Sequence, residues 1–177
     1  MIPTIYNCDT LGICPDLVGK PIRHWRDLMD PAFKGKTAIM NIPSIGVMDD
    51  AMAIESLGLW KYRDKGNMTR AEIDKTIAFL IKTKHAGQFR AFWKTFEESV
   101  TLMASGEVVI QLMWSPAVAA VRSRGIACTY QPLEEGYRGW AGGLGLAKHL
   151  NGLELDAACA TAVPSTSAWA TSRAGTR

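Results

Sequence analysis

The stretch from Glu107 to Ala120, EVVIQLMWSPAVAA, decides the fold class of this chain. Its first half, Val108 to Trp114, is a nearly continuous apolar run, which is typical of a β-strand buried on both faces. Ser115 and Pro116 then offer an N-cap and a first-turn proline, so an Ala- and Val-rich helix is expected directly after the strand. A buried strand that leads straight into a helix is a building unit of α/β sheets.

The sequence on either side of this stretch continues to alternate strands and helices. Upstream, Thr37 to Met40 is predicted to be a strand, and Ser44 is the expected N-cap of a helix that closes at Gly58. Downstream, Cys128 to Leu133 and Gly139 to Ala147 are predicted to be strands. These short units predict an α/β fold with a mixed or parallel sheet flanked by helices.

Two further helices carry strong local signals. Thr69 with Glu72, and Thr95 with Glu98, match the T-x-x-E capping box, in which each side chain accepts a hydrogen bond from the other residue's backbone N–H. The first box is followed by isoleucines and a leucine at helical spacing, which predicts one apolar face. Trp93, which lies between these two helices, is assigned to a helix or loop position.

Composition and charge exclude several classes of protein. The chain has 177 residues, of which 47% are hydrophobic and 21% charged, so it can bury a core and is not a disordered chain. Its net charge of +3 is too small and too scattered to indicate a nucleic-acid partner. No apolar run approaches the roughly 18 residues of a membrane-spanning helix. Met1 to Thr4 shows no signal-peptide pattern.

The C-terminal segment differs in composition from the rest. After Asp156 there is no Asp, Glu or Lys, and Ala, Thr and Ser dominate. We expect residues 157–177 to form an atypical, poorly ordered tail.

The cysteines and glycines do not form a recognised catalytic or metal motif. Cys8, Cys14, Cys128 and Cys159 include no C-x-x-C pair and no histidine cluster, so no metal site is expected. Buried free thiols are the favoured interpretation, and a disulfide from Cys8 to Cys14 or to Cys128 stays open because pairing depends on geometry. Gly142 to Gly145 lacks the spacing of a dinucleotide loop. We therefore expect no catalytic residue and no cofactor.

The adjacent acids Asp49 and Asp50 are interpreted as solvated residues, because adjacent positions do not share a helix face.

Trp114 precedes the helix start at Ser115, at the carboxyl end of a strand, where α/β sheets commonly bind ligands. Its indole could stack on a ligand or face a cation, while the helix N-terminus could bind an anion. For Trp114 and Trp140 alike, a packing role in the core stays an open alternative.

Several short motifs follow one another along the chain in a recognisable order. They are Ile2 to Tyr6 with Leu11 to Ile13, His24 to Leu28 with Pro31 to Lys36, Ala104 to Val108 with Met113 to Ser115, and Gly139 to Lys148. In this order the chain resembles bacterial extracellular solute-binding proteins of the spermidine/putrescine type, which serve ABC importers.

The resemblance implies a type II periplasmic-binding-protein fold, in which two lobes close on a solute. It divides the chain into a hinge strand and linker at residues 1–22 and a second α/β lobe at residues 23–156, with most of the first lobe expected before Met1. It also implies a periplasmic protein without enzymatic activity that binds a small-molecule solute and partners an ABC transporter membrane permease.

The resemblance also assigns candidate solute contacts. Trp114 and Trp140 match the aromatic walls of the cleft, Tyr6 lies in the hinge segment that faces the solute, and Ser44 falls where polyamine binders place an acidic contact. Ser115 begins a helix that could bind an acid. Asp49 could supply a carboxylate if the register shifts by one residue.

Two departures from the polyamine pattern bear on the solute. Gly142 stands where polyamine binders have an aspartate, and Met48 replaces another ligand carboxylate. Two ammonium groups in a cleft need carboxylates to offset their desolvation. The expected solute is therefore a small polar or cationic molecule that is polyamine-like, amine-like or amino-acid-like. Two alternatives stay open: a small α/β enzyme domain that uses Cys128 or His149, and a non-functional gene fragment.

Overall fold

The computed structural model describes residues 2–145, 147–149, 151–154 and 156–157. The chain divides into two compact units, one made of residues 9–138 and a smaller one made of residues 1–8 and 139–177. Apart from Ala157, the segment predicted to be a poorly ordered tail lies outside the described residues.

Strands and helices alternate along the described residues. The strands are β1 (Ile2–Ile13), β2 (Thr37–Met40), β3 (Phe89–Trp93), β4 (Ile110–Met113), β5 (Thr129–Tyr130) and β6 (Arg138–Leu144). The helices are α1 (Pro15–Val18), α2 (Pro43–Ser56), α3 (Arg70–His85), α4 (Phe96–Ala104) and α5 (Ser115–Ser123), with 3-10 turns at Trp25–Met29 and Pro31–Phe33.

The larger unit is organised by a mixed sheet with strand order β3-β2-β4-β1-β5. Strand β2 runs parallel to both β3 and β4, whereas β1 runs antiparallel to β4 and β5. Helices connect the parallel strands, as a parallel crossover requires. The expected α/β fold with a mixed sheet flanked by helices is therefore confirmed.

Strand β4 lies at the centre of the core, as the apolar run predicts. All four of its residues are buried, and its single polar member, Gln111, is 0% exposed. The Gln111 amide donates hydrogen bonds to the carbonyl oxygen of Ser99, at 2.8 Å, and to the Ser99 hydroxyl. These bonds offset much of the cost of burying a polar amide.

Both predicted capping boxes are present. The Thr69 hydroxyl accepts from the backbone N–H of Glu72 and the Glu72 carboxylate accepts from that of Thr69, and Thr95 and Glu98 do the same. Backbone N–H donors lower the pKa of both glutamates, those of Thr69 and Arg63 for Glu72 and those of Lys94 and Thr95 for Glu98. The two helices therefore begin where the sequence predicts.

The other two predicted N-caps are wrong by one or two residues. Helix α2 begins at Pro43 with Ile42 as its N-cap, so Ser44 is its second residue. Pro43 sets this start because its fixed φ and missing N–H suit the first helical position. Helix α5 likewise begins at Ser115 itself, and Trp114, whose backbone is extended, is the N-cap.

The strands also differ in part from the sequence predictions. Strand β3 carries Trp93, which the sequence assigns to helix or loop but which is a fully buried strand residue. The strand predicted from Cys128 to Leu133 is limited to Thr129–Tyr130. In the smaller unit, β6 pairs with β1, and the Thr4 hydroxyl donates a 3.4 Å hydrogen bond to the Gly142 carbonyl.

Candidate functional site

The carboxyl edge of the sheet, defined here as the C-terminal ends of the parallel strands β2, β3 and β4, is the candidate site. Asn41, Lys94 and Trp114 are the first residues after these strands, and helices α2, α4 and α5 begin within three residues of them. The first N–H groups of a helix lack intrahelical partners and carry partial positive charge. Three helix starts at one edge can therefore receive the acceptor groups of a ligand.

Trp114 is held in place from two sides at this edge. Its carbonyl oxygen accepts hydrogen bonds from the N–H groups of Ala117 and Val118, at 2.9 and 3.2 Å, as the N-cap of α5. Its indole packs edge-on against buried Trp93, with ring centroids 5.3 Å apart and an interplanar angle of 89°. The side chain is only partly buried, so part of the fixed ring remains accessible.

The start of α2 is pressed against the end of β2. A Cβ atom added to Gly46 would lie 2.2 Å from the Met40 carbonyl oxygen, so only glycine fits there. This close approach places Ser44, an exposed residue, in the first turn of α2 at the carboxyl edge. Ser115 is partly buried in the first turn of α5 at the same edge.

Asp49 belongs to a buried ion-pair cluster that also contains Arg138 and Asp9. The Arg138 guanidinium donates through Nε to Asp49 and through Nη2 to Asp9, the latter at 2.6 Å. Asp9 also accepts a 3.3 Å hydrogen bond from the Tyr130 hydroxyl. Because β1 pairs Thr10 with the last residue of β4, Asp9 lies at the same edge as the residue that follows β4.

Asp49 and Asp50 are both buried, at 1% and 2% exposure, so their interpretation as solvated residues is wrong. The reason is that α2 contacts strand β2, helix α3 and the 3-10 turn at Trp25–Met29, and is therefore covered on more than one side. Burial raises the pKa of Asp49 to about 7, against the opposing effect of Arg138. Burial, and then the neighbouring Asp49, raise the pKa of Asp50 well above its usual value.

Asp50 also lines a pocket of about 210 Å³ beside the start of α2. The pocket is largely apolar, with Ile42, Leu80 and Phe92 among its lining residues and Lys84 as its cationic member. Oδ1 of Asp50 is buried without a hydrogen-bond partner in the part of the chain that the structure describes. A bound N–H or O–H group would satisfy this oxygen.

The remaining two candidate residues belong to the smaller unit. Tyr6 lies on β1 and is 66% exposed, and Trp140 lies on β6 and is 37% exposed. Gly142 on β6 has a local steric reason for departing from the polyamine pattern, since a Cβ there would lie 2.9 Å from Cγ2 of Ile5. The structure thus brings Trp114, Ser44 and Ser115 to one edge of the larger unit and places Asp49 in the ion-pair cluster.

Sequence reasoning did not identify Asp9 or Arg138 as functional residues, and it interpreted Asp50 as a solvated acid. Asp9 offered one signal, a carboxylate inside a strand that otherwise leads into the core, because a buried charge requires a partner. The sequence could not identify that partner, because Arg138 is 129 residues away from Asp9 along the chain. Asp50 could not be told from an exposed acid by its helical position.

Cys128, one of the two residues named for an enzymatic alternative, lacks the features of an activated nucleophile. Cys128 is 3% exposed, and burial raises the pKa of its thiol to about 11, the opposite of what a reactive thiolate needs. His149 lies just after the strands of the smaller unit and is exposed. Among the described residues no group of His, Cys, Asp and Glu is arranged to hold a metal ion. Within that same part of the chain, no helix is long and apolar enough to cross a membrane.

Comparison with known proteins identifies one family model that covers most of the chain. Residues 3–163 match the family model described as bacterial extracellular solute-binding protein. A search of curated protein sequences finds no significant match.

Similar solved structures come from several bacteria. The spermidine/putrescine ABC transporter substrate-binding protein PotD of Streptococcus pneumoniae has a TM-score of 0.65 at 17% identity, over 90% of this chain and 46% of that one. The Tp0655 (TpPotD) lipoprotein of Treponema pallidum has a TM-score of 0.60 at 13% identity, over 78% and 41%. A substrate-binding protein from Bradyrhizobium japonicum has a TM-score of 0.58 at 20% identity, over 73% and 38%. The likeness shows the fold, and the chain spans less than half the length of each.

Proposed function

Because the chain belongs to the bacterial extracellular solute-binding protein family, whose members bind solutes and are not enzymes, we propose that it binds the solute of an ABC importer and that the carboxyl edge forms one wall of the solute cleft. In this proposal the protein works in the periplasm and delivers its solute to a membrane permease. The solute is a small polar or cationic molecule.

The observation that carries the proposal is the fixed, partly accessible indole of Trp114. Helix α5 holds its backbone and Trp93 holds its ring, so the exposed part loses little conformational freedom when a ligand stacks on it. An indole face attracts a cation with about 1–2 kcal/mol when both are desolvated. Ser44 and Ser115 lie in the first turns of α2 and α5, where the N–H groups of a helix suit a carboxylate or hydroxyl.

The charge of the surrounding residues favours a solute with an ammonium group. In the ion-pair cluster one guanidinium, that of Arg138, faces the carboxylates of Asp9 and Asp49. Because Asp49 already pairs with Arg138, we propose that it acts on the solute through the charge of the cluster rather than as a free carboxylate. An amine or amino acid suits this edge better than a long polyamine, which would need several unpaired carboxylates. Tyr6 and Trp140 remain proposed contacts by resemblance.

Binding measurements on the purified chain test this proposal. Isothermal titration against putrescine, spermidine, simple monoamines and the amino acids is expected to identify a ligand among the amines or amino acids. Trp114→Leu is expected to weaken that binding about five- to thirtyfold, as the loss of about 1–2 kcal/mol requires. Trp60→Leu is the matched control, because Trp60 is a partly buried indole in a separate small core cluster.

Two outcomes would contradict the proposal. Equal affinity of Trp114→Leu and the wild type for the identified ligand would exclude the carboxyl edge as the wall of the cleft. A folded chain that binds none of these compounds would favour the alternative of a non-functional fragment.

A further inference from the structure

We propose that Cys14 and Cys128 form an intramolecular disulfide when the chain folds in an oxidising compartment. Both residues lie in the larger unit, one just after β1 and the other just before β5. The inference concerns a covalent modification of the fold, and it does not depend on which solute is bound.

The register of the two strands brings these cysteines opposite each other. Strands β1 and β5 are antiparallel, with Gly12 opposite Tyr130 and Ile13 opposite Thr129. Cys14 directly follows β1 and Cys128 directly precedes β5, so one further step of the same register would place the two cysteines opposite each other. Opposite residues of an antiparallel pair share one face, with Cα atoms about 4.5–5.5 Å apart. Disulfides span Cα separations of about 4.4–6.8 Å.

The backbone of β1 beside Cys14 is fixed by hydrogen bonds along both of its edges. The Cys14 N–H donates to the Val109 carbonyl at 2.9 Å, which continues the pairing of β1 with β4. On the other side of β1, the Gln131 N–H donates to the Leu11 carbonyl at 2.9 Å. These two bonds hold β1 to β4 along one edge and to the segment just after β5 along the other.

The immediate surroundings of the thiols are consistent with close approach. Cys14 and Cys128 are 2% and 3% exposed and belong to the same core cluster. Both are free thiols in the structure. Burial raises the pKa of Cys128, and the neighbouring Cys14 raises it further, an electrostatic effect that operates only over a short distance. Charged groups near the pair are Asp16, which raises the pKa of Cys14, and Arg122, which lowers that of Cys128.

The reaction requires an external disulfide as its oxidant, either oxidised glutathione or a disulfide-carrying oxidoreductase. The thiolate of one cysteine attacks the oxidant's disulfide, forms a mixed disulfide and releases one reduced thiol. The second cysteine then attacks the mixed disulfide, forms the bond between Cys14 and Cys128 and releases the other. The two cysteines lose two electrons and two protons, and the oxidant becomes two thiols. Because both residues are buried after folding, the exchange takes place while the chain is still folding.

Such a bond would close residues 14–128, which make up most of the larger unit, into one covalent loop. The segment between the two cysteines contains strands β2, β3 and β4 and helices α1 to α5. Closing a loop of this size removes much of the conformational entropy of the unfolded chain. Disulfides persist in the oxidising compartments in which extracellular proteins work. The oxidised chain should therefore be the more stable form.

The experiment compares chains refolded with oxidised glutathione and with a reductant. The variant Cys8→Ser/Cys159→Ser leaves only the two cysteines of interest. After oxidative refolding its intact mass should be lower by two hydrogen atoms, and it should contain no thiol that reacts under denaturing conditions. Its thermal midpoint should be about 5–10 °C above that of the reduced form, and reductant should abolish the difference.

A third substitution provides the control for this disulfide. Adding Cys14→Ser to the same variant should abolish both the mass change and the difference in thermal midpoint. Circular dichroism of the reduced proteins checks that each variant folds. Two free thiols in a chain that has folded after oxidative refolding would overturn the proposal. In the wild-type chain, peptide mapping that links Cys8 to either partner would also overturn it.

Discussion

Arg138 is the residue whose replacement tests the ion-pair cluster most directly. Its side chain is 12% exposed and lies between the carboxylates of Asp49, at 1%, and Asp9, at 7%. Arg138→Met keeps an unbranched chain but leaves both buried carboxylates without their guanidinium. Removing one partner of a buried ion pair typically costs about 3–5 kcal/mol.

A loss of this size would be easy to measure. Natural domains unfold with a free energy of about 5–15 kcal/mol, and the urea dependence is about 1–3 kcal/mol per molar. The midpoint of urea unfolding at neutral pH, followed by far-ultraviolet circular dichroism, should therefore fall by about 2 M in Arg138→Met. Arg138→Lys should lose an intermediate amount, because a lysine keeps the charge but not the fork that reaches two carboxylates.

A surface arginine provides the matched control. Nη2 of Arg90 lies 2.7 Å from Glu107, and their side chains are 53% and 49% exposed. Arg90→Met should lose less than about 1 kcal/mol because solvent screens an exposed pair. If Arg138→Met loses no more than this control, the cluster does not contribute as a buried ion pair and the reasoning is refuted.

Two further measurements locate the cause of the loss. Replacing Asp9 and Asp49 by asparagine in the Arg138→Met background should recover part of the stability, because no unpaired charge then remains buried. The loss caused by Arg138→Met should also be smaller at pH about 5 than at pH about 8, since a protonated Asp49 needs no cation. A loss that is independent of both changes would point to packing alone.

Two remaining predictions concern pH and backbone contact. Burial raises the pKa of Asp49 from 3.8 to about 7, so the folded chain keeps a proton that the unfolded chain releases, and stability should fall as pH rises from about 4 to about 7. Burial of Asp50 makes stability depend on pH in the same direction. Urea unfolding of Asp49→Asn should therefore show a flatter dependence of stability on pH than the wild type, and the difference is the contribution of Asp49. An unchanged dependence would contradict the assigned role of Asp49. Gly46→Ala should lower the free energy of unfolding by about 1–3 kcal/mol, because the added Cβ would lie 2.2 Å from the Met40 carbonyl oxygen. Gly139→Ala is the control and should not destabilise the chain, because no atom lies within 4 Å of the added Cβ. Equal unfolding midpoints for the two variants would refute the steric argument.

The parts of the fold that the sequence predicted correctly depend on local signals. The apolar run before Trp114 and the capping boxes at Thr69 and Thr95 act within one or two turns of chain, so their outcome does not depend on distant partners. Strand β3 carries no such signal. Its formation depends on pairing with β2, which is separated from it by two helices along the chain.

Burial of individual side chains was harder to predict, because it depends on what covers a helix. Asp49 and Asp50 have the spacing of solvated acids, but α2 is covered on several sides. The converse holds for α3, whose apolar spacing predicts a buried face. Its Ile73, Ile77 and Ile81 are 41%, 37% and 49% exposed. Helical spacing therefore identified both helices correctly without identifying the surfaces that would cover them.

The same distinction applies to the candidate site. Trp114 could be placed from the sequence because a helix that starts immediately after a strand leaves no loop in which the residue could turn elsewhere. Tyr6 and Trp140 had no comparable local constraint, and their assignment depends on resemblance alone. The Arg138 cluster joins Arg138 to residues 89 and 129 positions away along the chain and had no sequence signature. A role in solute binding is therefore best tested first at Trp114, where local physics and family resemblance independently indicate the same residue.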